Sequence, residues 1–254
     1  YAPGKRLDVS KETIRNSASR AIFDRIKSPD VTQETLMGYA LHIDQGIRDS
    51  AMGQIRRRGW HRLTVELLKS DDPRGRHSGL KGVGALPKPM DDKLVRILAD
   101  MIKDPDESWW VVMEALKHMG NASPEQLAPH IAAIEKWMHH DDWWLQVRAL
   151  QAATPLAVDK RFYKRLLPQI TELMANNQRP GLNGTFINIA RQARKSDEPI
   201  AEFAKAQFAK GYAQYPEVIS APGSQDMTQG TQYMLRHVAR AVADTPGGLD
   251  ALYQ

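Results

Sequence analysis

Ser108-Trp109-Trp110-Val111-Val112-Met113-Glu114-Ala115-Leu116 and Asp142-Trp143-Trp144-Leu145-Gln146-Val147-Arg148-Ala149-Leu150 share one pattern. Each has a capping residue, two tryptophans, a mixed middle and Ala-Leu, in that order. The offset, 142 − 108 = 34, falls in the period of roughly 20–50 residues at which repeats become solenoids. Ser or Asp ahead of a helix accepts a bond from an orphan amide of the first turn. Trp110, Met113 and Leu116 then fall at i, i+3 and i+6, as do Trp144, Val147 and Leu150. That spacing predicts one buried stripe per helix. One helical hairpin cannot cover such a stripe, so copies must stack. The frame extends to Asp44, followed by Ala51-Met52, and to Asp72, followed by Gly79-Leu80. The steps between caps, 28, 36 and 34, make the repeat irregular.

The partner helices recur as well. Leu127-Ala128-Pro129-His130-Ile131 matches Leu166-Leu167-Pro168-Gln169-Ile170. Proline inside a helix removes a donor and bends the axis. Turns such as Asp104-Pro105-Asp106-Glu107 and His139-His140-Asp141 join each bent helix to a Trp-Trp helix. From Thr32 to Lys195 the chain resembles the HEAT-repeat, armadillo-like family. The resemblance implies an all-α fold, an α-α solenoid of irregular HEAT-like hairpins with about five or six repeats. Fold alone carries no function in such repeats.

The expected organisation is a single α-solenoid domain, 1–254: an N-terminal arm and capping helix at 1–30, HEAT-like repeats at 31–195, and C-terminal helices and tail at 196–254. Thirty-five basic against 30 acidic side chains give a net +5, compatible with an acidic partner. With no cysteine, disulfides and Cys-ligated zinc are excluded. No apolar run is long enough to span a membrane. The absence of cysteine and the start at Tyr1 are compatible with an exported or processed protein, or a piece of a longer one.

In chain order, Tyr1 to Leu7 reads as a loose arm, and Ser10 caps a helix to about Lys27. Thr32 opens a helix through Ile43, and Gln45 to Arg58 forms a third that closes at Gly59. Helices at Trp60–Lys69, after Asp72, and at Asp92–Lys103 follow. Gly75, Gly79, Gly82 and Gly84 weaken their helix, which predicts close packing there; their order does not fit a phosphate-cradling loop. Ser123-Pro124-Glu125-Gln126 reads as a capping box with proline at the first helical position. Asn176 to Pro180 reads as a loop, Leu182 to Ala193 as a helix, and Ser196 as the start of another. Pro216 to Gln225 reads as a connector, and Asp226 to Ala243 as a final amphipathic helix.

Two readings of the arginines stand open. Arg56, Arg57 and Arg58 suit a helix C-terminus. With Arg74, Arg76, His61, Arg62, His77 and Lys81 they also suit a phosphate-binding patch. The tryptophans have two readings too. Adjacent helical residues lie about 100° apart, so one of each pair is expected in the core; the other packs between repeats or offers an aromatic platform.

The Trp-Trp helix also looks like that of the HEAT-like alkylpurine DNA glycosylases. That resemblance implies Trp110 and Trp144 flanking a lesion, Glu114 stabilising a sugar cation, and Arg148 holding a phosphate. Here the acid is Glu where that family has Asp, and the arginine is displaced by one position. No metal site is expected: the His139-His140-Asp141-Asp142 run lies in one turn, where neighbours rarely converge on one ion. No nucleophile motif of the GxSxG kind is present.

The expected function is a non-catalytic scaffold that binds another protein, or a neighbouring domain of its own polypeptide, along a concave face. No cofactor, catalytic residue or membrane partner is expected. The expected binding residues are Trp110, Trp144, Arg148, Arg56, Arg57, Arg58, Arg74 and Arg76. The alternative is a nucleic-acid-binding HEAT-like protein, with Glu114 catalytic if it is a glycosylase.

Overall fold

The structure, a computed structural model, describes residues 11–176 and 180–213. The Tyr1–Leu7 arm, the Ser10 cap, the Pro216–Gln225 connector and the helix expected from Asp226 lie outside the described residues, as do 177–179 of the expected loop. All elements described are helical, with no strand among the described residues. The chain divides into two compact units, Tyr1–Lys88 and Pro89–Gln254.

Unit 1 contains α1 (Lys11–Lys27), α2 (Gln33–Ala40), α3 (Gln45–Arg57), α4 (His61–Leu68) and α5 (Pro73–Gly82), then a 3-10 turn at Val83–Ala85. Helices α2 and α3 form one hairpin and α4 and α5 the next; α3 packs on α1 and α5. Thr32, Asp44 and Asp72 cap α2, α3 and α5 with side-chain oxygens on first-turn amides. The helix expected to reach Ile43 ends at Ala40, because the chain turns there to set the Asp44 cap. Gly59 has φ 65°, a left-handed stop that glycine adopts without strain. Ile26, Leu36, Met52, Ile55 and Leu67 form the core.

Three of the four glycines flagged above mark close approach. A Cβ on Gly79 would lie 2.6 Å from the Leu68 backbone nitrogen, and on Gly82 2.7 Å from the Thr64 side chain. One on Gly75 would lie 2.4 Å from Ser70 Oγ. Helix α5 thus reaches α4 backbone to backbone, whereas Gly84 faces open space.

Unit 2 contains α6 (Asp92–Lys103), α7 (Trp109–Met119), α8 (Pro124–Leu127), a 3-10 turn at Ala128–His130, α9 (Ile131–Met138), α10 (Trp143–Ala157), α11 (Tyr163–Asn176), α12 (Pro180–Arg194) and α13 (Glu198–Ala213). Its hairpins are α6–α7, α8/α9–α10 and α11–α12, and α10 packs on both α7 and α12. The capping box at Ser123 and Gln126 is formed. The prolines act differently. Pro129 sits in the 3-10 turn that separates α8 from α9, while Pro168 lies within an unbroken α11. Pro155, within α10, has no N–H for the Gln151 carbonyl four residues earlier. Gly120 fits against that carbonyl, where a Cβ would come within 2.8 Å.

The five hairpins among the described residues agree with the expected repeat number, and the four expected caps Asp44, Asp72, Ser108 and Asp142 stand before α3, α5, α7 and α10. In each, the seventh and eighth residues after the cap are buried: Ala51-Met52, Gly79-Leu80, Ala115-Leu116 and Ala149-Leu150. The expected stripe is corrected in phase. Leu116 and Leu150 are buried, but Trp110, Met113 and Val147 are only half-buried and Trp144 is exposed. The core side is Val111, Val112, Ala115, Leu116 and Met119 in α7, and Leu145, Ala149, Leu150 and Ala153 in α10. The tryptophans occupy the first two helical positions, and helical side chains lean back toward the N-terminus, past the edge of the stack. Ser108 and Asp142 hold the cap position without a side-chain cap bond; their backbone carbonyls still accept the first helical amides.

Candidate binding face of the second helices

Trp109 and Trp143 each take the first position of the second helix of successive hairpins. Trp109 is 56% exposed and Trp144 38% exposed. Their rings meet, with centroids 6.4 Å apart and planes at 59°. Trp143, half-buried, stands edge-on to Trp144 at 5.9 Å. The result is a surface ledge of three indoles drawn from two helices. The contact joins non-equivalent members of the two pairs: the first tryptophan of α7 meets the second of α10. Trp110, expected at the site, is half-buried; Trp109, not singled out for binding, is the member of its pair that meets Trp144.

The turns leading into both helices are acidic. Asp104, Asp106 and Asp141 are exposed, and Glu107 and Asp142 are half-buried. The Asp104 carboxylate accepts from the Asp106 amide, and Glu107 accepts from the Ser108 amide. His140 Nδ1 accepts from the Asp142 amide, and the His140 ring stacks on Trp137 at 5.1 Å. His139 bonds Gln169. These histidines build the turn, and among the described residues no group of three or more His, Asp or Glu is placed to hold a metal ion.

Glu114 is 4% exposed. Its carboxylate accepts from Lys117 Nζ at 2.9 Å and lies 4.0 Å from His118 Nε2. Buried within α7, this carboxylate is paired with a cation on the same helix. Arg148, half-buried, donates to the Gln151 side chain at 2.9 Å.

The five arginines of unit 1 expected to bind, Arg56, Arg57, Arg58, Arg74 and Arg76, divide. Arg58 donates to the carbonyls of Ser28 and Pro29 at 2.8 and 3.2 Å and stacks over Trp60 at 5.0 Å. Arg74 forks onto its own cap, Asp72, at 2.6 Å. That bond holds the Asp72 carboxyl below its usual range. Arg76 donates to the carbonyls of Ser70 and Asp71. Arg48, not singled out in the sequence, makes the same clamp on His42 and Ile43. Both clamps lie four residues after the aspartate cap, so the signal was Asp-x-x-x-Arg at 44–48 and 72–76. Arg56 and Arg57 are exposed and border an open groove with Asp49, Ser50 and Gly53.

No family model matches the sequence. No curated protein matches it either. Solved structures do. A designed armadillo repeat protein in complex with the peptide (KR)4 superposes with TM-score 0.54 at 12% identity, covering 87% of this chain and 98% of that one. An engineered protein gives 0.53 at 15%, covering 87% and 96%. Computationally designed armadillo repeat proteins for modular peptide recognition give 0.51 at 12%, covering 87% and 98%. At these identities the likeness is one of fold: the chain is an all-α, armadillo- and HEAT-like repeat solenoid.

Proposed function

We propose that the chain is a non-catalytic repeat scaffold that binds an extended segment of another protein, or of a neighbouring domain of its own polypeptide. The segment lies across the second helices α7 and α10. The observation that carries this reading is the exposed Trp109–Trp144 contact between successive hairpins. Isolated exposed hydrophobics are ordinary, but a contiguous aromatic surface marks an interaction site. The acidic turns that lead into α7 and α10 favour a segment with lysine or arginine, whose cation would lie over an indole face near a carboxylate. One of the structurally similar designs is complexed with a Lys-Arg peptide, which is consistent with that choice.

The test is a titration of the chain with a lysine- and arginine-rich peptide, followed by tryptophan fluorescence and calorimetry. Each cation–π contact contributes about 0.5–2 kcal/mol. The Trp109→Ala/Trp144→Ala double variant should therefore weaken binding by about tenfold or more while keeping its helical circular dichroism. Unchanged affinity in a folded double variant overturns the reading.

A further inference from the structure

The net +5 conceals two opposite halves. Residues 1–88 hold 17 lysines and arginines against 10 aspartates and glutamates, a formal +7; residues 89–254 hold 18 against 20, a formal −2. The basic excess belongs to unit 1. There Arg58, directly after α3, bonds the carbonyls of Ser28 and Pro29, directly after α1. That clamp brings the ends of two helices together, and with them the cations of both last turns: Arg25 and Lys27 of α1, Arg56 and Arg57 of α3. All four are exposed, and none of the four side chains makes a hydrogen bond or ion pair among the described residues.

Helix dipoles do not account for this. Each helix C-terminus carries about half a negative charge, so two ends balance about one cation. Asp24 and Asp30, both exposed nearby in sequence, and Asp49, exposed in the groove beside Arg56 and Arg57, balance three more of the five cations that include Arg58. The surface stays positive. Beside it, half-buried Trp60 lies under the Arg58 guanidinium, followed by exposed His61.

We propose that this end of unit 1 binds nucleic acid through its phosphate backbone, with Arg25, Lys27, Arg56 and Arg57 as the contacts. Guanidinium forks match phosphate oxygens two at a time. Arg56 and Arg57 border an open groove with Ser50, Gly53 and one carboxylate, Asp49, so that the two guanidiniums outnumber the acid there. A membrane surface fits less well. Among the described residues of unit 1, the large exposed apolar side chain is Ile43, in the turn before α3, whereas the arginines close that helix. The site is built from residues of unit 1 alone and does not depend on the peptide reading, which rests on tryptophans of unit 2.

The experiment measures binding of the full chain to a fluorescent single-stranded DNA of about 20 nucleotides, across a salt series. Four neutralised phosphates on a single strand give log K against log salt a slope of about −3. Arg56→Glu/Arg57→Glu should weaken binding at least tenfold. Arg56→Gln/Arg57→Gln, which disturbs the fold less, should reduce the slope by about 1.4. Trp109→Ala/Trp144→Ala should leave DNA binding unchanged. The proposal is overturned by no binding at about 50 mM salt. It is equally overturned by a glutamine variant that binds like the parent, or by polyglutamate or anionic vesicles binding more tightly than DNA through the same arginines.

Discussion

Helices α5 and α10 fill the same slot, the second helix of a hairpin capped by aspartate, and they are built in opposite ways. Helix α5 removes side chains: Gly75, Gly79 and Gly82 let it lie against the backbone and short side chains of its neighbours. Helix α10 keeps a narrow alanine side, with Ala149, Ala152, Ala153 and Ala157 buried, and places its bulk at the N-terminus as tryptophan. The polar ties differ too. Unit 1 uses guanidiniums on backbone carbonyls: Arg48 and Arg76 close the turns of their own hairpins, and Arg58 reaches the end of α1. Unit 2 uses side-chain pairs about one repeat apart: Arg161 with Glu125 at 2.9 Å, Arg165 with Glu135, and Gln126 with Asp92 at 2.8 Å. Trp137 Nε1 adds a bond to the Ile102 carbonyl. Close backbone contact leaves no tolerance for added atoms, whereas exposed ion pairs contribute little individually. Unit 1 is therefore the part that point changes disrupt most easily.

The strongest way to break that comparison is at glycine. Gly79→Ala places a methyl 2.6 Å from the Leu68 backbone, which cannot give way as a flexible side chain would. Overpacking of this kind costs about 1–3 kcal/mol, more than the gain of up to about 1 kcal/mol from alanine's helix propensity. Gly38 in α2 is exposed and meets nothing within 4 Å, so Gly38→Ala should stabilise by about 0.5–1 kcal/mol. Urea melts of the two variants should move in opposite directions. A Gly79→Ala chain as stable as the parent would remove the backbone-packing account of α5.

The next comparison sets one arginine of each unit against the other. Arg48 is buried and donates at 2.7 and 2.8 Å to the carbonyls of His42 and Ile43. Hydrogen bonds to charged groups contribute about 1.5–3 kcal/mol, and Arg48→Met leaves two turn carbonyls without this donor. Arg148 is half-buried and bonds one side-chain amide, so Arg148→Met should cost under about 1 kcal/mol. Equal losses in the two melts would show that the carbonyl clamp is no stronger than a surface contact.

Much of this was legible in the sequence, and the remainder has definite causes. Caps and stops were readable because their side chains act locally: Asp44, Asp72, Gly59 and the Ser123 box lie where the residue types place them. The phase of the tryptophan helices was not. When two adjacent residues are both large and apolar, spacing cannot say which faces the core, and here neither is fully buried. The fate of Arg58, Arg74 and Arg76 was hidden for another reason. Arg58 takes the carbonyls of Ser28 and Pro29, distant acceptors that no sequence pattern marks, and the Asp-x-x-x-Arg spacing of Arg76 carries meaning only when set beside that of Arg48. Sequence showed the basic run as one patch; the fold leaves Arg56 and Arg57 exposed and brings Arg25 and Lys27 to them from another helix.

The smallest effect belongs to a histidine of unit 2 and depends on pH. His130 follows Pro129 in the 3-10 turn and lines a cleft with Asp92, Arg96 and Glu125. Its buried Nδ1 has no hydrogen-bond partner among the described residues. Burial pushes the imidazole below its usual range; Lys103 pushes the same way and Asp100 opposes it. The folded chain thus binds this proton at lower pH than the unfolded chain. Its contribution to stability is complete above the unfolded value of about 6.5. It is lost as pH falls below that value toward the folded one, because only the unfolded chain is then protonated there. His130→Gln removes the titration and keeps a polar side chain. Thermal melts at about pH 7.5 and about pH 5.5 should show a larger acid-induced fall in the parent than in the variant. Unit 1 supplies the contrast. Asp72, whose carboxyl is held low by Arg74, loses its contribution only as pH falls below the ordinary carboxylate range of about 4. An acid-induced fall of equal size in both chains over the milder range would assign it to groups other than His130.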